Sequence, residues 1–540
     1  MTAEWWRDAV IYQIYPRSFA DSNGDGYGDL PGAIEKLPYL SELGVDAIWL
    51  SPIYTSPMAD AGYDVADYEN VDAMFGNIAD ADALITAAHG LGIKVILDLV
   101  PNHTSDEHRW FQAAIAAEPG SPERDYYLFR DGLGEDGSLR PNNWTSVFGG
   151  KGWTRLTRPD GTPEQWYLHL FDVKQPDLDW SSEKVREGFD DILRFWLDKG
   201  VDGFRIDVAH SLVKADGLPD WDHEAALLSG ETGPMWDQDG VHDVYRRWRR
   251  ILDGYEGDRS LVAEAWVADP TRLANYLRPD EMHTAFNFEF LDSRWNAKAY
   301  RDVITKTMAA DRAVGAPTTW VLSNHDVVRH VSRFGLQDPG ASHEGLGQRD
   351  EQPDNEIGTR RARAATLMML ALPGSAYLYQ GEELGLPEHT TLDDSLRQDP
   401  TWFRSEFTRV GRDGCRIPMP WNADAPGLGF SPNGETWLPQ PESYRDLAAD
   451  QQMATPGSTW RLYHDALAMR KDLGLGRGTL EWVEGPDALV AFDNGDVRVM
   501  TNVLGEPIAL PEGYRVIASS VDLDGDVLPT DTTVWLTPVR

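Results

Sequence analysis

The chain carries a single cysteine, Cys415, in 540 residues. No intrachain disulfide can form, and one isolated thiol offers no cysteine cluster to a transition metal. No apolar stretch approaches the roughly 18 residues that a membrane span needs. The opening MTAEWWRDAV lacks the basic start, long apolar segment and small-residue cleavage point of a secretory leader, so a cytoplasmic location is expected. Cations are scarce: 49 Lys and Arg stand against 88 Asp and Glu, a formal net charge of -39. Such a surface repels nucleic acid and anionic membranes, which argues against both as partners and favours a neutral or cationic small molecule. Internal repeats of fixed period and low-complexity segments are absent too.

What is present is a succession of short apolar runs, at 10–15, 47–50, 95–99, 203–207, 261–264, 284–288, 319–323 and 375–379. Helical patterns separate most of them. In 181–200, Val185, Phe189, Ile192, Leu193 and Trp196 recur at three- and four-residue steps and Gly200 is placed to end the helix. In 80–92, Leu84, Ile85, Ala88 and Leu91 form the inward face. Strand, helix, strand in sequence predicts parallel pairing, hence an α/β protein with a (β/α)8 TIM barrel.

Two excursions break the rhythm. Residues 104–170, rich in Pro, Gly, Asn, Trp and Tyr, are too long for a plain crossover and read as an inserted domain after strand 3, one wall of a pocket at the barrel rim. Trp144 and Trp166 are its candidates to face that pocket. A second excursion, 381–457, follows the eighth strand and forms the opposite wall. From about Gly478 alternating runs at 488–492, 497–504, 514–519 and 533–537, with Asn494-Gly495 and Asp524-Gly525 between them, predict a C-terminal antiparallel β domain. The division expected is 1–103 with 171–476 for the barrel, 104–170 for the insertion and 477–540 for the β domain. Asp522 to Asp526 reads as a hairpin turn.

Three of the runs end in acids: Asp207 in GFRID, Glu264 in LVAE and Asp326 in LSNHD. The C-terminal rim of such a barrel is where its chemistry sits. Cleaving a glycosidic bond with retention takes one carboxylate to attack the anomeric carbon and one carboxylic acid to protonate the leaving oxygen. Arg205, two residues before Asp207 and so on the same face, is expected to keep that acid ionised as a nucleophile. The apolar neighbours of Glu264 are expected to raise its pKa toward that of a working acid. His325-Asp326 suits sugar hydroxyls.

With these motifs in order, AVIYQIYPRSF, GVDAIWLSP, DLVPNHTS, QPDLDW, GFRIDVAH, VAEAW and LSNHD, the chain resembles the α-glucosidase and oligo-1,6-glucosidase branch of the α-amylase superfamily from about Trp5 onward. The resemblance implies Asp207 as nucleophile, Glu264 as acid and base, and Asp326 as the carboxylate that holds and distorts the sugar. It also implies that His103, Arg205 and His325 line the subsite of the transferred glucose, with Asp98 supporting it. Asp60 and Tyr63 match an acid and an aromatic that contact this glucose, and Arg412 matches an arginine that closes the pocket with that acid. Two positions depart from the pattern: Asp179, where many relatives have asparagine, and His210 after the nucleophile. Val208 resembles enzymes that prefer 1,6 linkages.

Asp21-Ser22-Asn23-Gly24-Asp25-Gly26-Tyr27-Gly28-Asp29 supplies oxygens at alternate positions, in the spacing of a calcium loop. Gly32 stands where an EF-hand would place its bidentate Glu, so one ion outside an EF-hand is expected. Similarity to the glucosidase branch implies structural Ca2+ on Asp21, Asn23, Asp25, the Tyr27 carbonyl and Asp29. The expectation is therefore a retaining, exo-acting α-glucosidase acting on a small-molecule α-glucoside. A transglycosylase or sucrose/trehalose-type isomerase using the same intermediate is the alternative, and an inactive binding subunit the remote one. Linkage preference and the choice between monomer and homodimer stay open.

Overall fold

The computed structural model describes residues 4–225, 233–340 and 345–539. Eight parallel strands form its central sheet: β1 (Val10–Ile14), β2 (Ala47–Leu50), β3 (Lys94–Leu99), β4 (Gly203–Ile206), β5 (Ser260–Ala263), β6 (Thr284–Ala285), β7 (Thr319–Val321) and β8 (Ser375–Tyr379). Their order is β6-β5-β4-β3-β2-β1-β8-β7. A parallel bridge from Phe286 to Thr319, with the Asn287 N–H on the Thr319 carbonyl at 3.1 Å, brings the two ends together into a barrel.

Period-two alternation divides each strand between two cores. Ile11, Trp49, Ile96, Val262, Phe286, Val321 and Tyr377 pack together as the barrel filling. Tyr12, Ile14, Ile48, Leu97 and Phe204 point outward to the helices. β4 starts with glycine because a Cβ at Gly203 would lie 2.5 Å from the Ser260 carbonyl oxygen.

The helices lie where the apolar spacing places them. Glu183–Asp198 buries Val185, Phe189, Ile192, Leu193 and Trp196, and the chain leaves through Gly200 at φ +98°. Ile78–Gly90 starts from an Asn77–Asp80 capping box. Leu91, expected inward, is 42% exposed because the helix has ended one residue earlier and its side chain leaves the packed face. β6 is shorter than expected: Asn287 caps the brief helix Phe288–Leu291 and so ends the strand.

After β3, an antiparallel sheet of Phe129–Arg130, Trp153–Thr157 and Pro163–Leu168 stands over the rim. Trp144, Phe148, Trp153 and Phe171 there pack against Val208, Leu218 and Trp236 from the loop after β4. The excursion after β8 consists mainly of short helical turns. The C-terminal sheet pairs Leu480–Trp482, Leu489–Asn494, Val497–Asn502, Thr532–Pro538 and Tyr514–Ser519 in that order, all antiparallel. It is fastened to helix Asn355–Leu370 by Trp535 Nε1, which donates to the Leu367 carbonyl at 2.9 Å. Asn494 and Val497 do close a hairpin. The 522–526 segment does not: it leads from Tyr514–Ser519 to Val527–Leu528, which pairs instead with Ile508–Ala509 in a separate ribbon. No described helix is long and apolar enough to cross a membrane.

Candidate active site

Strand ends β3, β4 and β5 deliver Asp98, Arg205, Asp207 and Glu264 to one point. The Arg205 guanidinium is 2% exposed and touches all three acids: Nη1 lies 2.7 Å from Asp98 and 2.5 Å from Asp207, and Nη2 2.6 Å from Glu264. One planar group thus touches the Asp207 and Glu264 carboxylates at once and brings to one point the two acids that a retaining mechanism uses. Backbone geometry adds to the clamp. The Val208 N–H donates to Glu264 Oε2 at 2.9 Å and the Ala209 N–H to the Glu264 carbonyl at 2.7 Å. Val208 is a β-branched residue at φ 42°, a left-handed conformation that costs on the order of 1–3 kcal/mol and gathers at functional sites.

Burial pushes Asp207 well above the usual carboxylate range; Arg205 opposes this, but Glu264 and Asp98 reinforce it. Burial likewise pushes Asp98 up to about 7 against the pull of Arg205. Arg205 is in contact with all three acids, and at Asp207 and Asp98 its charge opposes the effect of burial. Glu264 is also less apolar in its surroundings than the neighbouring residues imply, since Trp266 Nε1 donates to Oε1 at 3.1 Å and Arg205 and Val208 serve Oε2.

Asp326 is bound by two arginines, Arg412 Nη1 and Arg416 Nη2, each at 2.9 Å from Oδ1. Burial alone would raise its pKa; the charges around it more than offset that and hold it below the usual range. Burial pushes His325 well below the usual imidazole range, with Asp326 opposing, and His325, Arg412 and Arg416 together hold Asp326 down. Arg412 also reaches Asp60 Oδ1 at 2.9 Å and Asp399 Oδ2 at 2.5 Å, so it ties together the loops after β2, β7 and β8. Burial pushes Asp60 up to about 6, with Arg412 opposing.

A hydrogen-bonded chain lines the remaining side. Gln13 Nε2 lies 2.7 Å from His325 Nδ1, and His325 Nε2 lies 2.6 Å from the Tyr63 hydroxyl, which donates to Asp98 Oδ2 at 3.0 Å. Tyr63 stacks on His325 at 5.3 Å and 8°. His103 is buried and driven down to about 3 by that burial. Its Nε2 lies 3.2 Å from the Tyr63 carbonyl and 3.1 Å from Gln175, which also donates to Asp60 at 3.1 Å.

The expected residues Asp60, Tyr63, Asp98, His103, Arg205, Asp207, Glu264, His325, Asp326 and Arg412 are therefore joined by one network. The two tryptophans are not part of it. Trp144 is 1% exposed in the core of the insertion with its indole N–H on the Pro219 carbonyl, and Trp166 donates to the Gly137 carbonyl. Large apolar rings were claimed there by packing first. Asp179 accepts from the Ser181 N–H and hydroxyl beside the Glu183–Asp198 helix, away from the network. Sequence reasoning missed Gln13, Gln175, Asp399 and Arg416. Gln13 carried a signal, a polar residue two steps from Ile11 on a strand facing the barrel interior; Asp399 lay in an aperiodic excursion that carried none.

The 21–29 loop is folded by repeated two-residue bonds: Asp21 Oδ1 accepts from Asn23 N–H, Asn23 Oδ1 from Asp25 N–H and Asp25 Oδ1 from Tyr27 N–H, each at 2.9 Å. Asp29 caps the following helix through the Gly32 N–H. Among the described residues no three His, Cys, Asp or Glu side chains converge as a metal cluster.

The α-amylase catalytic domain family matches residues 13–476. The chain belongs to the α-amylase catalytic-domain family. Within it, the chain is 37% identical to maltase 1 of Drosophila virilis, over 88% of this chain and 74% of that protein. It is 36% identical to the oligo-1,6-glucosidase of Parageobacillus thermoglucosidasius, over 87% and 84%. The solved α-glucosyl transfer enzyme XgtA superposes with a TM-score of 0.86 at 37% identity and full coverage of both chains. A trehalulose synthase, MutB, superposes at 0.85 with 30% identity, over 99% of this chain and 100% of that one. The α-amylase family match ends at residue 476, ahead of the first strand of the C-terminal sheet, Leu480–Trp482.

Proposed function

We propose that the protein is a retaining, exo-acting α-glucosidase that removes the terminal non-reducing glucose from short α-glucosides. The observation that carries this reading is the single buried guanidinium gripping Asp207 and Glu264 from adjacent strand ends. One proton shared within this crowded cluster suffices for the chemistry. With the proton on Glu264, Asp207 attacks the anomeric carbon as the bond to the leaving oxygen breaks and Glu264 protonates that oxygen. Water then attacks the glucosyl-Asp207 ester from the vacated side, Glu264 takes its proton, and Asp207 leaves as carboxylate, so charge and configuration are restored. Asp326, ionised between two guanidiniums, accepts hydrogen bonds from ring hydroxyls and strengthens them as the ring flattens. Asp60 and Arg412 close the far end of the pocket, which supports release of one glucose at a time.

The similarity to XgtA and to a trehalulose synthase favours a second reading, in which the same ester passes to a sugar hydroxyl instead of water. Product analysis at high maltose separates them: glucose alone supports hydrolysis, new oligosaccharides support transfer. The primary test is trapping with a 2-deoxy-2-fluoro or 5-fluoro glucosyl fluoride, followed by peptide mass spectrometry. A glucosyl ester on Asp207 is expected; an ester elsewhere, or none with an active enzyme, overturns the assignment.

The 21–29 loop is proposed to hold one structural Ca2+ through Asp21, Asn23, Asp25, the Tyr27 carbonyl and Asp29. All donors are hard oxygens, and the repeated two-residue bonds fold the side chains back over one short turn, which suits that ion. The ion would fasten the loop to the excursion after β8, where the Trp437 N–H already donates to the Gly26 carbonyl at 2.9 Å.

A further inference from the structure

Arg404 ends the short helix Pro400–Arg404 in the excursion after β8, and both arms of its guanidinium reach across to the inserted domain and the turn that follows it. Nη1 lies 2.9 Å from Asp172 Oδ2, and Nη2 donates to the Gly149 carbonyl at 3.0 Å. The pair is largely out of solvent, with side chains 19% and 14% exposed. Gly149 and Gly150 turn with φ of +102° and +78°, and a Cβ on Gly150 would lie 3.8 Å from Nη2, so this turn sits directly against the guanidinium. A forked, charge-assisted contact of this kind fixes direction as well as distance.

Each arm leads back to the pocket. Next to Gly149, the Phe148 ring lies 5.6 Å from the Arg412 guanidinium and packs edge-on against Phe171 at 5.7 Å, and Phe171 in turn meets the His103 ring at 4.8 Å. Next to Phe171, Asp172 closes a turn with Gln175: the Asp172 N–H donates to Gln175 Oε1 at 2.9 Å and the Gln175 N–H to the Asp172 carbonyl at 2.8 Å. Gln175 is fully buried, and its Nε2 stands 3.1 Å from both Asp60 Oδ2 and His103 Nε2. The other end of the helix closes the circuit. Asp399 caps it by accepting from the Thr401 N–H at 2.8 Å and also holds Arg412, which binds Asp60. Arg404 thus completes a ring of contacts that runs from Asp399 through the helix to the 172–175 turn and returns through Gln175, Asp60 and Arg412.

We infer that Arg404 is a positioning residue for the glucose end of the pocket: by pinning the 149–150 and 172–175 turns to the excursion, it fixes where Asp60, His103 and Arg412 stand against the sugar. This deepens the α-glucosidase reading and rests on it. The test measures Ki for 1-deoxynojirimycin, an amine shaped like glucose, because Ki reads the fit of that end and is independent of the fraction of enzyme that has folded. In Arg404→Ala the Ki should rise about tenfold, and kcat/KM for 4-nitrophenyl α-glucoside should fall at least as far, since a displacement of about 1 Å costs up to about 10²-fold. Arg404→Lys keeps a charge at Asp172 but cannot fork to Gly149, so it should recover part of the loss. Asp172→Asn should reproduce most of it, and combining it with Arg404→Ala should cost little more, because both cut the same tie. An unchanged Ki in Arg404→Ala, or fully additive losses in the double variant, overturns the inference. Should Arg404→Ala fail to fold, Arg404→Lys and Asp172→Asn carry the same measurement, and an unchanged Ki in both overturns it. A wild-type enzyme that neither binds 1-deoxynojirimycin nor cuts the aryl glucoside would instead strike at the α-glucosidase reading itself.

Discussion

Replacing Glu264 by glutamine separates its chemical role from its structural one. The carboxylate takes three donors: Val208 N–H at 2.9 Å and Arg205 Nη2 at 2.6 Å on Oε2, Trp266 Nε1 at 3.1 Å on Oε1. A glutamine has one oxygen, which is best spent on the Val208 and Arg205 side. Its NH2 then faces the Trp266 N–H, and one buried donor loses its partner at about 1–3 kcal/mol. The kinetic loss is larger and depends on the substrate. General acid catalysis contributes about 10²–10⁴-fold, and a disaccharide, whose leaving alkoxide needs the proton, should lose that much in kcat/KM. A 2,4-dinitrophenyl α-glucoside leaves without help, so its kcat/KM should fall far less. The glucosyl ester then accumulates because no base activates water; a burst of phenol precedes a slow steady state, and KM drops with kcat. Stopped-flow absorbance on both substrates, with the thermal midpoint as a check on folding, measures this. Equal losses in kcat/KM for both substrates would refute the acid role, because a merely distorted pocket makes no distinction between leaving groups.

Arg412→Lys should raise KM for disaccharides about tenfold with a smaller effect on kcat, since a point charge cannot bridge Asp60, Asp326 and Asp399 as the planar fork does; an unchanged KM counts against its closing role. Asp311 lies in helix Ala297–Val314, and burial pushes it up to about 7 despite its bond from Thr318. The folded chain therefore keeps a proton that the unfolded chain releases near pH 4, so this residue lowers stability as pH rises from about 4 to 7. Asp311→Asn should stabilise by ~1–3 kcal/mol at pH 8 and by much less at pH 5, read from urea unfolding at both values; equal shifts at the two pH values would contradict this. Chelation with EGTA should lower the thermal midpoint and Ca2+ should restore it, with Asp21→Ala insensitive to both; identical midpoints throughout would remove the proposed ion.

How much of this was legible in the chain differs from residue to residue. Strand ends carrying Asp207, Glu264 and Asp326 could be read because a period-two apolar run that stops at an acid is a local signal, and barrel topology turns three such signals into one site. Arg205 could be placed on the Asp207 face by the same alternation. Its third partner, Asp98, and the sharing of one guanidinium among three acids could not, because that depends on the registers β3–β4 and β4–β5, which place Asp98 beside Arg205 and Val262 beside it on the other side. How burial, Arg205, Glu264 and Asp98 together weigh on Asp207 follows from this sharing, which no local pattern contains.

The same division applies to the walls. Composition marked 104–170 and 381–457 as excursions, and the sequence by itself determined that they would leave the barrel at its functional rim. Which aromatic rings fill a core and which groups face the cavity was decided only by tertiary packing: Trp144 went to the core, while Asp399, Arg416 and Gln175 met Asp60, Asp326 and Arg412. Periodicity is a property of neighbours along the chain, whereas the field at a buried charge is summed over everything that folding brings near it, and only the folded barrel holds that sum.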